Sequence, residues 1–217
     1  MSVVMMVFYH LIWDIHAFWP VPYFQFPLKV WLFGGGLIGG SFLFISGLAA
    51  GLTFRSGSRE KILKGGLKIF AVALLVFAVS IFALPGSPIY FGILHCIGAS
   101  LILASFLAGR PKATLIAFLL AMAIGWATEF IPGRSPWVAW LGMTYPGFDT
   151  ADYFPLFPWG GVLWGGLFLS GAFGGWAARL PQNPPHTLVF LGRQSLLIYL
   201  LHQPILVGTV NFLKTLC

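Results

Sequence analysis

The sequence predicts an all-α integral membrane protein, a bundle of about seven transmembrane helices with its N-terminus on the cytoplasmic side. Three observations lead there. Of 217 residues, 59% are hydrophobic and only 8% charged, with a mean hydropathy of +0.91; a soluble domain carries about 25% charged residues and could not cover a water-facing surface with so few. The apolar residues fall into runs near the length of about 20 residues that crosses a bilayer. The 12 Lys and Arg lie at the ends of those runs. The net charge of +7 therefore reports membrane topology and not nucleic-acid binding. The 22 Phe and 9 Trp suit lipid contact and interfacial belts.

Seven spans follow in order, at about 2–19, 28–54, 68–84, 88–108, 112–132, 156–178 and 190–213. They read as helices, because irregular backbone and open sheet edges do not survive in lipid, and no ten-residue alternation suggests a barrel. Pro20, Pro22 and Pro27 bracket the first connection, Pro85 and Pro88 the third, and Pro181, Pro184 and Pro185 the sixth. The longest connection, 133–155, is too short and too aromatic for a soluble domain, so 1–217 reads as a single transmembrane domain. Arg55, Arg59, Lys61, Lys64, Lys68, Arg110, Lys112, Arg179 and Arg193 fall on one side if the spans alternate, and only Lys29, Arg134 and Lys214 on the other. The richer side is the cytoplasmic one, in a multi-pass protein of the cell (plasma or inner) membrane. The first span has neither a charged n-region nor a small-residue cleavage site, so it reads as a retained helix. Its start at Met1, with no basic residue before it, is what a late start codon would leave. Cys96 lies inside an apolar span and Cys217 is the last residue, which predicts two free thiols.

Ionisable groups in lipid are costly and often mark function. Here they are His10 and Asp14 in span one, His95 in span four, Glu129 near the end of span five, and Arg193 and His202 in span seven. His10 and Asp14 are four apart, on one helix face. A carboxylate one turn away can hold an imidazole in one tautomer and stabilise its cation, which suits a general base or a nucleophile. The bland reading is a polar pair that glues helices together. At about 1.5 Å rise per residue, His10, His95 and His202 lie about 10–17 Å from the outer ends of their spans. Three imidazoles at related depth also suggest a metal, but no two share the i, i+4 ligand spacing and none has a cysteine in register, so no metal is expected.

Arg193 is either a topology anchor or a phosphate contact at a helix N-terminus, roles that are compatible. Glycines at four-residue spacing, Gly35/Gly39, Gly36/Gly40, Gly47/Gly51, Gly161/Gly165 and Gly171/Gly175, predict close helix packing. The alternative is a slot for a bulky cofactor; no glycine set forms a dinucleotide signature. In the loop 133–155, Asp149 and Asp152 stand among Trp137, Trp140, Tyr145, Phe148 and Tyr153. Aromatic faces with carboxylates suit a sugar, and an interfacial aromatic belt would use the same residues.

Five segments in order, FYHLIWDI (8–15), FLFISGLAAGL (42–52), YFGILHCIGAS (90–100), DYFPLFPWGGVLWGG (152–166) and LGRQSLLIYLLHQPIL (191–206), resemble the bacterial and archaeal relatives of the heparan-alpha-glucosaminide N-acetyltransferase catalytic domain. That family sits in a wider superfamily of transmembrane acyltransferases that includes polysaccharide O-acetylases. The resemblance runs from about residue 3 to 208. It implies acetyl-CoA or another acyl-CoA as the donor from the cytoplasm, and a sugar or glycolipid amine or hydroxyl as the acceptor on the outer side. It marks His10 as the catalytic histidine and Asp14 as the acidic residue one turn on, and it places His95, Asp152, Arg193 and His202 in the other matched motifs; the expected contacts are Arg193, His95 and His202 with the cofactor, and Asp152, with Asp149 and Trp137 of the aromatic loop, with the acceptor. Relatives carry an Arg-Gly pair before the first span, which this chain lacks, and the chain is shorter than the heparan enzyme, so the heparan substrate does not carry over.

The leading expectation is thus a membrane acyltransferase. A small proton-coupled transporter or channel would use the same His and Asp as a relay, although no inverted repeat is visible. A non-catalytic scaffold would use them only as glue. The large aromatic surface permits a homodimer.

Overall fold

The computed structural model describes residues 2–18, 28–131, 133, 135–177 and 185–216. Pro20, Pro22, Pro27, Pro181 and Pro184 lie outside the described residues, as do Arg134, Arg179 and Cys217. The elements are α1 (Ser2–Phe18), α2 (Leu28–Arg55), α3 (Arg59–Ala83), α4 (Ile93–Leu107), α5 (Pro111–Thr128), a short 3-10 helix (Pro136–Leu141), α6 (Leu156–Ala177), α7 (His186–Arg193) and α8 (Ser195–Leu216). Among the described residues the protein is all-α, as predicted, and each of the seven predicted spans contains a helix. Among the described residues the only β-type pairing is an isolated parallel bridge between Phe91 and Tyr153. Four helices, α2 from Phe33 on, α3, α5 and α8, are long and apolar enough to cross a membrane; α1, α4 and α6 supply shorter apolar stretches. At 15 residues, α4 reaches about 22 Å.

Three boundaries differ from the sequence expectation for local reasons. Helix α3 begins nine residues before position 68. Ser58 Oγ accepts the Lys61 N–H at 3.3 Å, and Glu60 pairs with Lys64 at 2.7 Å one turn on, so a polar first turn precedes the apolar run. Helix α4 begins at Ile93 and not at 88, because the preceding residues lie along the loop 150–154. Phe154 N–H donates to Phe91 O at 3.0 Å, Ala151 N–H to Ser87 O at 3.1 Å, and Thr150 Oγ1 to Pro88 O at 2.8 Å. The seventh span divides at Gln194 into α7 and α8.

The helices form two compact units. One joins the two ends of the chain: α1, α2 up to Ser41, α7 and α8. The other runs from Phe42 through α6.

In the second unit, glycine sets the spacing between helices. A Cβ on Gly47 would overlap the Leu163 carbonyl oxygen, one on Gly166 the Phe44 carbonyl, and one on Gly51 the Ser170 hydroxyl, so α2 and α6 cross backbone to backbone. A Cβ on Gly161 of α6 would lie 2.9 Å from the Ala121 Cβ of α5, and one on Gly160 2.8 Å from the Ser100 hydroxyl of α4. Helix α6 therefore packs on three neighbours through different glycines. Gly66 and Gly98 do the same between α3 and α4. Close packing, the bland reading of the glycine spacing, is what Gly47, Gly51 and Gly161 serve. The turns α2–α3 and α4–α5 meet at one end of this unit, each with a glycine in the left-handed region, Gly57 at φ 85° and Gly109 at φ 81°. Arg59 donates to Ala108 O there at 3.0 Å, and a Cβ on Gly109 would strike the Phe54 ring. Arg55, Arg59, Arg110 and Lys112 thus gather at one end, as the alternation of spans requires.

Candidate active site

In the first unit, α1 lies against α8 and against the start of α2. Gly34 and Gly35 leave room for the Tyr9 ring, whose hydroxyl donates to Trp31 O at 2.9 Å. Trp13 and His16 also pack on the Trp31 ring. This fixes α1 and turns the next residue, His10, toward α8. The His10 and His202 rings meet edge to face, with centroids 4.8 Å apart.

Hydrogen bonds settle how the two imidazoles are wired. His10 Nδ1 lies 2.9 Å from Met6 O, and His202 Nδ1 lies 2.6 Å from Tyr199 O. A carbonyl only accepts, so each neutral ring carries its proton on Nδ1. His202 Nε2 then offers its lone pair to the His10 Nδ1–H at 3.3 Å. His10 Nε2 has no hydrogen-bond partner among the described residues. It is an unprotonated lone pair with both of its neighbours in place, which is what a general base or a nucleophile requires.

The spacing of His10 and Asp14 suggested a direct pair. The structure joins Asp14 to another group: Gln203 Nε2 donates to Asp14 Oδ1 at 3.0 Å, and Asp14 is 1% exposed. His202, 192 residues away, is the side chain whose hydrogen bond reaches His10. Asp14 Oδ2 and Gln203 Oε1 are buried without hydrogen-bond partners among the described residues. Pro204 follows directly and has no N–H to give to the α8 backbone.

His95 and Asp152 come together elsewhere, at the N-terminus of α4 in the second unit. Asp152 Oδ2 accepts the Ile93 N–H at 2.9 Å, and His95 Nδ1 accepts the Gly92 N–H at 3.3 Å. Both satisfy backbone donors that a helix start leaves open. His95 is buried, stacked on Phe91 and edge-on to Phe70. Gly92 is required here, since a Cβ would overlap the Asp152 carboxylate. Asp152→Ala is expected to destabilise the protein by about 0.5–2 kcal/mol, the usual cost of a lost helix cap, while Asp152→Asn, which keeps an acceptor, loses much less. Thermal unfolding of the two variants in detergent would check this, and equal melting temperatures would count against the capping role.

The other acceptor candidates are dispersed. Asp149 accepts from Ser87 Oγ at 2.9 Å and helps hold the loop to the segment before α4. Trp137, 85% exposed, stands on the 3-10 helix facing outward. Burial pushes the Tyr153 phenol up to about 12, so it stays protonated and donates to Ala139 O at 2.7 Å. Glu129 caps the end of α5 and is exposed. Cys96 is a free, buried thiol with its sulfur 3.8 Å from Pro155 O.

Arginine appears in two settings. Arg193 ends α7, exposed, two residues before α8 starts. In the second unit a cavity of about 220 Å³ is lined by Arg55, Arg110, Thr114 and Ser170, among others. Arg55 donates to Gly171 O at 2.8 Å, and Arg110 is the N-cap of α5. Among the described residues no three His, Cys, Asp or Glu side chains gather in a metal-binding group.

Sequence reasoning singled out His202 but not its link to His10, and it passed over Gln203 altogether. Gln203 is uncharged and adjacent to a flagged histidine; its one signal was a polar amide inside an apolar run.

Apolar helices long enough to cross a bilayer define a helical membrane protein, and two of its helices carry a hydrogen-bonded imidazole pair. The family model for the heparan-alpha-glucosaminide N-acetyltransferase catalytic domain matches residues 1–204, and the chain belongs to that family. It is accordingly a multi-pass membrane protein of an acetyltransferase family, as the motifs in the sequence suggested. No curated protein and no solved structure matches it.

Proposed function

We propose that the protein transfers an acetyl group from acetyl-CoA, supplied at the cytoplasmic face, to an amine or hydroxyl of a sugar or glycolipid on the outer side of the cell membrane. The observation that carries this reading is the free Nε2 of His10, a ring whose Nδ1 is held by Met6 O and His202 within an apolar helix. Family membership supplies the acetyl chemistry. His10 takes the proton of the attacking group, or takes the acetyl group itself and passes it on; either use needs an unprotonated Nε2.

The clustering of Arg55, Arg59, Arg110 and Lys112 at one end of the second unit supports a cytoplasmic orientation for that end. Arg193 and Arg110 are the candidates for the donor's phosphates. A charged hydrogen bond of this type is worth about 1.5–3 kcal/mol, or about ten- to a hundredfold in affinity. The test is turnover of radiolabelled acetyl-CoA by the purified protein, with glucosamine as acceptor. Release of CoA with labelled acceptor is the expected result, and the loss of donor affinity in Arg110→Ala and in Arg193→Ala would show which arginine meets the phosphates. Proton flux across proteoliposomes without thioester turnover would make the protein a carrier instead.

A further inference from the structure

We infer that His202 is the proton-accepting partner of His10: when His10 Nε2 gains a bond, the proton on its Nδ1 passes to His202 Nε2. The inference rests on the acetyl-transfer reading of the same site. It gives His202 a task that neither family membership nor the spacing of residues assigns.

The reasoning starts from protons. Both rings carry hydrogen on Nδ1, because each Nδ1 faces a backbone carbonyl. An imidazole that bonds at Nε2, to a proton or to an acyl carbon, becomes cationic and its Nδ1–H becomes acidic. The Met6 carbonyl can accept a hydrogen bond but not the proton. His202 Nε2, at 3.3 Å, can take it, since it is a free imidazole nitrogen of the same intrinsic basicity. In a hydrolytic triad an aspartate fills this position and keeps its charge. Here a second imidazole fills it and can carry the proton away. Gln203, the residue after His202, holds the Asp14 carboxylate against the same helix.

The balance closes in both routes. In direct transfer the acceptor N–H or O–H proton goes to His10 Nε2, and the His10 Nδ1 proton goes to His202. The acceptor atom bonds to the acetyl carbon as the carbon–sulfur bond breaks, and the CoA thiolate takes one proton back through the pair. In the covalent route Nε2 bonds to the acetyl carbon, the thiolate leaves, and loss of the Nδ1 proton to His202 leaves a neutral acylimidazole. As the acceptor atom then bonds to the acetyl carbon and the carbon–Nε2 bond breaks, His202 returns its proton to His10 Nδ1 and the acceptor's own proton goes to the thiolate. His202 is a positioning and proton-accepting residue and bonds to no substrate atom.

Two variants and one spectrum test this. His202→Gln keeps an acceptor for the His10 Nδ1–H but cannot hold the proton. Its kcat is expected to fall by about 10² or more, the usual scale for a lost acid–base group, with the KM for acetyl-CoA unchanged. His202→Ala is expected to be equally slow and to regain activity when free imidazole is added. A purely structural role would show neither the kcat-only effect nor the rescue. Nitrogen-15 spectra of histidine-labelled wild-type protein should show His10 and His202 as Nδ1–H tautomers. His95, whose Nδ1 accepts from Gly92, serves as an Nε2–H reference. Near-normal kcat in His202→Gln, failure of imidazole to rescue folded His202→Ala, or an Nε2–H tautomer at either ring would each overturn the inference. Absence of acetyl-CoA turnover by the wild-type protein is a separate result: it removes the acetyl-transfer reading, and the relay falls with it, whatever tautomers the spectra show.

Discussion

His10→Ala should abolish acetyl transfer while the protein still folds and still binds acetyl-CoA. The loss of a general base costs about 10²–10⁴-fold in rate, and the loss of a nucleophile at least as much. The ring lies only partly buried at the α1–α8 contact and is braced by Tyr9, so its removal leaves the Tyr9–Trp31 bond that fixes α1 untouched. His10→Gln separates chemistry from packing. Glutamine can still bond to neighbouring groups across the helix contact but cannot take up a proton or carry an acetyl group. Asp14→Asn should cost less, because an amide oxygen still accepts from Gln203 at the same place. Single-turnover transfer from labelled acetyl-CoA measures all three, and a His10→Gln protein with near-wild-type transfer would remove His10 from the chemistry.

The second large effect is on stability. Gly47→Val should destabilise the second unit severely, because the new side chain meets the Leu163 carbonyl and, at 2.8 Å, the Leu167 backbone nitrogen. Backbone atoms inside a helix cannot rotate aside as a side-chain tip can. Overpacking of an ordinary core costs about 1–3 kcal/mol and occasionally more, and a backbone collision belongs at the upper end. Gly65→Ala is the control. Nothing lies within 4 Å of a Cβ at that position, so the helix should gain stability from the better helix former. Unfolding curves in detergent would compare the two, and a Gly47→Val protein as stable as the parent would mean that α2 and α6 do not cross at this distance.

The sequence announced the helices because most of them are built on long apolar runs, and lipid leaves a polypeptide few other ways to satisfy its backbone. It announced their ends less well. The start of α3 lay hidden in a polar turn, Ser58 to Lys64, which reads as a loop when only hydropathy is followed. The start of α4 depends on a loop 60 residues away, since Asp152 and the 150–154 backbone hold the segment before Ile93 extended. The site was legible as a set of residue types but not as a set of contacts. His10 and Asp14 stood out through helical spacing, yet the bond that wires His10 comes from α8, and no periodicity relates positions 192 residues apart. Asp149 and Asp152 drew attention as carboxylates among aromatic rings. The structure shows them bonded to Ser87 and to the start of α4, contacts that composition cannot foresee.

The pairing of α1 with α8 also orders events during synthesis. Helices α3 with α4 and α5 with α6 are neighbours along the chain and pack on each other, so each hairpin can close as soon as it leaves the ribosome. The histidine pair has no such early opportunity. Between His10 and His202 lie α2 to α7, so α1 is followed by six further α-helices before its partner helix is made. A polypeptide halted anywhere before position 202 holds His10 without its partner imidazole, so the pair forms only once α8 has been made and inserted.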